Sequence, residues 1–186
     1  MVVLAGCNEA PPAGASLEGL VLPSVDGFTI APGGPNGALT TDQAANATPA
    51  DPSGVRQRLV NPSFRGAFER VWRSGGDFVS VLVYGFVDDA TAASFASFEL
   101  KSVAASGTSE VFSAGRGPGE QAFTFVGGTR AAPGATDFCQ GVWFAVQTVA
   151  VEVTHCSPSR PGYPSQVIDL GNRELDQITG ISAATP

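Results

Sequence analysis

A chain of 186 residues, 43% of them hydrophobic and 12 of them Phe, is long enough to bury one core. Its net charge of −7 excludes an electrostatic grip on nucleic acid or on an anionic membrane surface. Charged residues are only 15% of the chain, below the roughly 25% of an average soluble domain, and no apolar run reaches the ~20 residues of a membrane-crossing helix.

The chain opens on Met1-Val2-Val3-Leu4-Ala5-Gly6-Cys7. Leu4-Ala5-Gly6-Cys7 resembles a bacterial lipobox, in which small residues admit a signal peptidase and the cysteine thiol receives a diacylglycerol. A secretory signal needs an apolar stretch of roughly 7–15 residues, more than the chain offers ahead of Cys7. Either the signal begins upstream of Met1, or the match is accidental and Cys7 is a free thiol in a frayed terminus. Asn8 to Ser16, rich in Pro, Gly and Ala, reads as a flexible tether. Residues 1–16 are thus expected to be signal remnant and tether, and 17–186 a single extracytoplasmic domain.

From Leu17 to Pro52, apolar patches alternate with turn signals at Pro23, Asp26-Gly27 and Gly33-Gly34-Pro35-Asn36-Gly37. A short helix is expected from Thr40 or Thr41 through Asn46, and a second after Pro52. Asn61 to Ser74 fits two patterns: Phe64, Phe68, Val71 and Trp72 lie at helical spacing, yet the segment also alternates. Gly66 weakens a helix and Ser74-Gly75-Gly76-Asp77 reads as a hairpin turn, so the strand is preferred. Phe78 to Phe86 is apolar almost throughout, which predicts a central strand covered on both faces. Asp88 or Asp89 then caps a helix to about Ala105, with Ala93, Ala96, Leu100 and Val103 as its buried stripe and Phe95 and Phe98 flanking it. Glu110–Ala114 and Gln121–Val126 read as short strands, Phe138–Cys156 as a long hairpin, and Gln166–Ile178 as a closing helix whose stripe is Val167, Leu170, Glu174 and Ile178. This order predicts an α+β domain: an antiparallel β-sheet of about five or six strands with two main helices packed on one face.

An odd cysteine count leaves one over after pairing. Lipid on Cys7 would account for it, leaving Cys139 and Cys156 to pair. If Gln147-Thr148 is a two-residue turn, Cys139 faces Cys156 directly across the hairpin, in the closer, non-hydrogen-bonded type of pair. The same register puts Val142, Phe144, Val146, Val149, Val151 and Val153 on one face, which must be core. Trp143, Ala145, Ala150, Glu152 and Thr154 fall on the other, with the cysteines. That second face is either covered by another element or offers a shallow apolar groove, with Trp143, Ala145, Ala150 and Glu152 as weak ligand-binding candidates. The wide cysteine spacing and single histidine speak against a metal or redox site. No cofactor is expected.

Catalytic signals are poor. His155, the only histidine, has no GxSxG elbow to work with and reads as an exposed edge residue. Gly115-Arg116-Gly117-Pro118-Gly119 precedes a strand, not the helix a phosphate loop requires, and reads as a turn. Asp88-Asp89 suits helix capping. Arg65, Glu69 and Arg73 would line a solvated strand face, as a weak anion-binding hint.

The layout resembles the secreted lipoproteins and sensor-like ectodomains common in actinobacteria. The segments carrying the likeness are Leu22-Pro23 with Asp26-Gly27-Phe28, Phe64-Arg65-Gly66-Ala67-Phe68 with Trp72, Val81–Phe86 with Ala90–Phe95, Gly119–Ala122, and the last valine-rich strand. The likeness implies a role in the cell envelope and supplies no catalytic residues. Three readings follow from it and from the residues. The first is a non-enzymatic binding or sensor-like module, held on the extracytoplasmic face of the membrane by lipid on Cys7, for a small or apolar envelope ligand or an envelope protein. The second is an accessory or structural subunit of an envelope complex. The least favoured is a hydrolase using His155.

Overall fold

The computed structural model describes residues 16–47, 51–105, 109–114, 123–132, 135–159 and 165–183. Cys7, the tether and the glycine loop at 115–119 lie outside these residues. The described elements, in order, are α1 (Leu17–Leu20), β1 (Thr29–Ile30), β2 (Gly37–Leu39), α2 (Thr41–Ala47), α3 (Pro52–Leu59), β3 (Phe64–Ser74), β4 (Asp77–Phe86), α4 (Asp89–Ala105), β5 (Ser109–Ala114), β6 (Phe123–Ala132), β7 (Ala135–Val146), β8 (Val149–Ser157) and α5 (Ser165–Ala183). The strands form one antiparallel sheet in the order β1-β3-β4-β8-β7-β6-β5, with β2 also pairing β3. Six strands, β3 to β8, carry the sheet, and β1 and β2 are short additions at its β3 edge. The fold class is α+β, as the sequence indicates.

The ambiguous segment after Asn61 is the strand β3, turned into β4 at Ser74-Gly75-Gly76-Asp77, where Gly75 takes the left-handed φ of 59° that the turn needs. The long hairpin folds on Gln147-Thr148, and its register is the one read from the sequence: Cys139 opposite Cys156, Trp143 opposite Glu152, Val146 opposite Val149. Cys139 and Cys156 are joined in a disulfide, their Cα atoms 4.0 Å apart.

Successive side chains of a strand point to opposite faces, so the pairings sort the sheet into rungs. On one face the rungs are Phe68, Val83, Val151 and Phe144, then Arg70, Val81, Val153 and Val142, then Trp72, Val79, His155 and Gln140. The N-terminal segment (Leu20, Val21, Leu22, Val25) and α5 (Val167, Leu170, Leu175, Ile178) close over this face. The other face carries Ala67, Tyr84, Ala150 and Ala145, then Glu69, Leu82, Glu152 and Trp143, then Val71, Ser80, Thr154 and Gly141, then Arg73, Phe78, Cys156 and Cys139. Here α2, α3 and α4 supply the cover, through Ala44, Ala45, Val55, Leu59, Ala92, Phe95 and Ala96.

The two long helices therefore lie on opposite faces, where the sequence reading had put both on one. The physical cause is the composition of β4 and β8. Both strands are buried on both sides, and each apolar face needs its own helix. The stripe of α4 is also rotated from the expected one. Ala92, Phe95, Ala96, Glu99 and Val103 are buried, whereas Ala93 is exposed and Leu100 and Phe98 are half-buried. Phe95 sets that rotation by stacking on Tyr84 and Phe86, with ring centroids 4.7 and 5.2 Å away. The α5 stripe, Glu174 included, is as read.

Candidate functional site

A buried acidic cluster lies on the α4 face, assembled from three elements. Asp88 caps α4: its carboxylate accepts from the Thr91 amide at 2.7 Å and from the Thr91 hydroxyl at 2.9 Å, which holds it below the usual carboxylate range. The helix then crosses β8 and β7, its Ala92 and Ala96 sharing one buried cluster with Ala150 and Ala145. One turn further, the same stripe carries Glu99 into the contact, 2% exposed. Burial, and next the charge of Glu152 on β8, push Glu99 up to about 9; Asp51 adds to this and Arg58 opposes it. One oxygen of Glu99, Oε1, has no hydrogen-bond partner among the described residues.

Glu69 and Glu152 flank Leu82 on one rung, both buried, at 9% and 7% exposure. The next rung supplies a hydroxyl to each: Ser80 donates to Glu69 Oε1 at 2.7 Å, and Thr154 donates to Glu152 Oε1 at 3.0 Å. Tyr84, one rung the other way, donates to the Ala44 carbonyl at 3.2 Å. Its phenol is pushed well above its ordinary range by burial and then by the charges of Glu152, Glu99 and Glu69.

Beside the cover of α4 the sheet is left open in a recess of about 170 Å³. Its floor is the Glu69, Glu152, Ser80 and Thr154 quartet, and Val71, Leu82 and Phe78 wall it with apolar surface. At its outer rung Arg73 holds its guanidinium carbon 5.8 Å from the Phe78 ring centroid. A second recess, of about 330 Å³, lies between α3 and α4, where Arg58, Asn61, Thr91 and Ser94 rim the buried rings of Phe86 and Phe95.

The candidates from the sequence are now placed. Trp143, Ala145, Ala150 and Glu152 share one face, as read, and all are buried. Trp143 packs under Val103 and Leu100 of α4, so the shallow groove is covered there, and a recess borders Glu152. The Trp143 ring lies over Gly141, where an added Cβ would come within 2.5 Å of it. His155 is not the exposed edge residue expected: it is 5% exposed on the central strand β8. Its Nε2 is 3.9 Å from Asp77, and Phe28 meets its ring edge-on; burial lowers its pKa, and the Asp77 charge opposes that. Arg65 and Arg73 are exposed, as expected, whereas Glu69 between them is buried and accepts from Ser80, so the three do not form one solvated face. Glu99 was missed as a site residue, and Glu69 was read only as part of a solvated strand face. The signal for Glu99 was available: it falls four residues after Phe95 and four before Val103, a carboxyl on an otherwise apolar stripe.

Among the described residues no group of three or more His, Cys, Asp or Glu is placed to hold a metal, and no helix is long and apolar enough to cross a membrane. No protein-family profile and no curated protein matches the chain. Among solved structures, the fold is similar to that of the extracellular domain of PknH from Mycobacterium tuberculosis, with a TM-score of 0.53 over 87% of this chain and 93% of that one. At 11% identity the similarity is one of fold.

Proposed function

We propose that this chain is a non-enzymatic, extracytoplasmic binding module of the sensor-like kind, held at the membrane by lipid on Cys7, which takes a small ligand in the recess beside Glu152. The observation that carries the reading is the recess itself. It combines apolar walls with a few convergent polar groups, and two of those groups are buried carboxylates. Buried carboxylates that border open space are a feature of binding sites more than of cores. The disulfide supports an oxidising compartment. The likeness of fold to the extracellular domain of PknH supports a sensor-like role. Leu4-Ala5-Gly6-Cys7 supports the anchor.

Mass spectrometry of the protein released from its native envelope tests both halves. Peptide mapping is expected to find a diacylglyceryl adduct on Cys7, and the intact native spectrum a second population carrying a small-molecule mass. An unmodified Cys7 in the membrane-derived protein refutes the anchor. A native spectrum with the bare polypeptide mass alone, at every envelope preparation tried, counts against the binding module.

A further inference from the structure

We infer that the recess between α3 and α4 is a second binding site, which takes a small carboxylate with an apolar body. It lies at the Phe86 end of β4, whereas the recess beside Glu152 lies along Phe78, Ser80 and Leu82 of the same strand. Its floor is apolar: Phe86 and Phe95 are buried, at 5% and 2% exposure, yet both border the open space. Its surroundings are apolar as well. Ile30, Val60 and Val87 are the large hydrophobics left exposed among the described residues, and the two valines stand on the loops that frame this recess. Val60 precedes Asn61 and Val87 follows Phe86, and the Val87 amide donates to the Ser63 carbonyl at 2.9 Å, which draws the two loops together. Exposed apolar side chains beside a concave apolar floor offer a surface that a ligand's apolar part can cover.

The polar groups of the rim are mainly donors. Arg58 lays its guanidinium over the Phe98 ring, 4.0 Å from the centroid, and such stacking uses the face of the fork and leaves its N–H edge to donate. Phe98 lies four residues after Ser94, so the contact holds Arg58 against the α4 wall of the recess. Among the described residues Arg58 pairs with no carboxylate, whereas Arg56, two residues before it, pairs with Asp42 at 3.3 Å. Glu99, the carboxyl that feels the Arg58 charge, is kept protonated near neutral pH by its burial and so does not neutralise it. Asn61 commits its side-chain oxygen to the Ser63 amide, at 3.0 Å, and has its amino end left to offer. Ser94 adds a hydroxyl on the exposed side of α4. Thr91 has no proton to give, since its hydroxyl donates to Asp88 at 2.9 Å. A guanidinium edge, an amide amino group and a hydroxyl around one space match a charged head that only accepts. A carboxylate fits better than a phosphate monoester, whose charge of about −1.5 to −2 would meet the Arg58 guanidinium alone among the described lining residues, near the solvated Asp88 and Asp89. At ~30 Å³ for each water-sized group, a space of about 330 Å³ holds about ten heavy atoms, the size of a carboxylate on an aromatic ring or a short acyl chain.

Amide chemical-shift mapping of the folded chain with phenylacetate, phenylethanol and phenylethylammonium, alike in ring and side-chain carbons, tests the inference. Phenylacetate is expected to shift the Asn61, Ser94 and Phe95 amides saturably, with phenylethanol at least about tenfold weaker, as hydrogen bonds to charged groups require, and phenylethylammonium weaker still. Arg58→Gln, at an exposed position, is expected to weaken phenylacetate by about tenfold or more and to leave phenylethanol within about twofold. Ser94→Ala gives a second comparison should Arg58→Gln fail to fold, with phenylacetate weakened about threefold. Equal or stronger shifts at these amides with the alcohol or the ammonium overturn the carboxylate. Phenylacetate binding that survives both substitutions also overturns it. Shifts confined to the Ser80, Leu82 and Thr154 amides overturn the second site and speak for the recess beside Glu152. No localised shift with any of the three overturns the second site, without bearing on that other recess.

Discussion

Replacing Glu99 with Gln should convert a pH-dependent protein into a less pH-dependent, more stable one. The carboxyl of Glu99 has a folded pKa of about 9 against an ordinary value of 4.5, because burial and the neighbouring Glu152 disfavour its charge. A group whose pKa is raised by folding contributes its full share of stability below the unfolded value and loses it as pH rises toward the folded one. Between pH 4.5 and about 9 the native state holds a proton that the unfolded state has released, so stability falls by about 1.4 kcal/mol per pH unit. Taken to pH 7 the loss is about 3 kcal/mol, a large share of the 5–15 kcal/mol typical of a domain. Gln keeps the shape and the hydrogen-bonding ends without a titrating group. Urea unfolding of both proteins from pH 4.5 to 8 should give equal midpoints at the acid end and a gap that widens in favour of Glu99→Gln, at an unchanged m-value. Glu174, pushed up to about 8 by burial, with the Leu22 amide opposing, leaves a second such slope in both proteins. The variant should therefore flatten the curve without abolishing its tilt. Parallel curves across the range would show that Glu99 is ionised and satisfied in the fold, and would refute the account of the cluster.

Three further outcomes follow. Cys139→Ser with Cys156→Ser removes a link across 17 residues and should cost about 3 kcal/mol in urea unfolding, by release of loop-closure entropy; an unchanged midpoint would mean the hairpin register needs no staple. Glu174→Leu deletes the acceptor of the buried Leu22 amide, at 2.9 Å, and should cost about 1–3 kcal/mol. It should also speed proteolysis within residues 17–30, and cleavage elsewhere would contradict it. Gly171→Ala sets a methyl 2.8 Å from Val142 Cγ2, where α5 meets β7, and should cost about 1–3 kcal/mol, recovered in part by Val142→Ala; additive losses would place the strain elsewhere.

What could be read from the sequence was whatever depends on period two. The hairpin register, the disulfide, β3 as a strand and β4 as a central one all follow from alternation and turn chemistry, because a one-residue slip would turn every valine of β8 to the wrong face. What could not be read was layering. Alternation says that β8 has two buried faces and does not say which helix covers each, so α4 and α5 were placed on one side. The Glu152 face was legible as a face, and Glu152 as its polar member. Its completion by Glu69 and Ser80 from β3 and β4 depends on which strands lie side by side, which no local pattern encodes. The acidic ring of the cluster closes through Glu99, whose side of α4 is set by Phe95 stacking on Tyr84 and Phe86, a tertiary contact.

The attachment of the first described segment has a mechanical consequence. Residues 16–25 join the body through the buried Leu20, Val21, Leu22 and Val25 and through side chains reaching backbone: Glu174 accepts from the Leu22 amide, Arg70 donates to the Leu22 carbonyl, Gln177 to the Gly19 carbonyl at 3.2 Å and Arg173 to the Ser24 carbonyl at 3.4 Å. The first backbone contact to a strand comes only at β1, with Ala31 bonded to Val71 just beyond it. Tension applied ahead of Ser16 would therefore have to draw Leu20, Val21, Leu22 and Val25 out of the core before it reached the interlocked ladders of β3, β4 and β8. Slack released in that order would absorb a tug on the chain's front end while the recess, on the far side of the sheet, kept its shape.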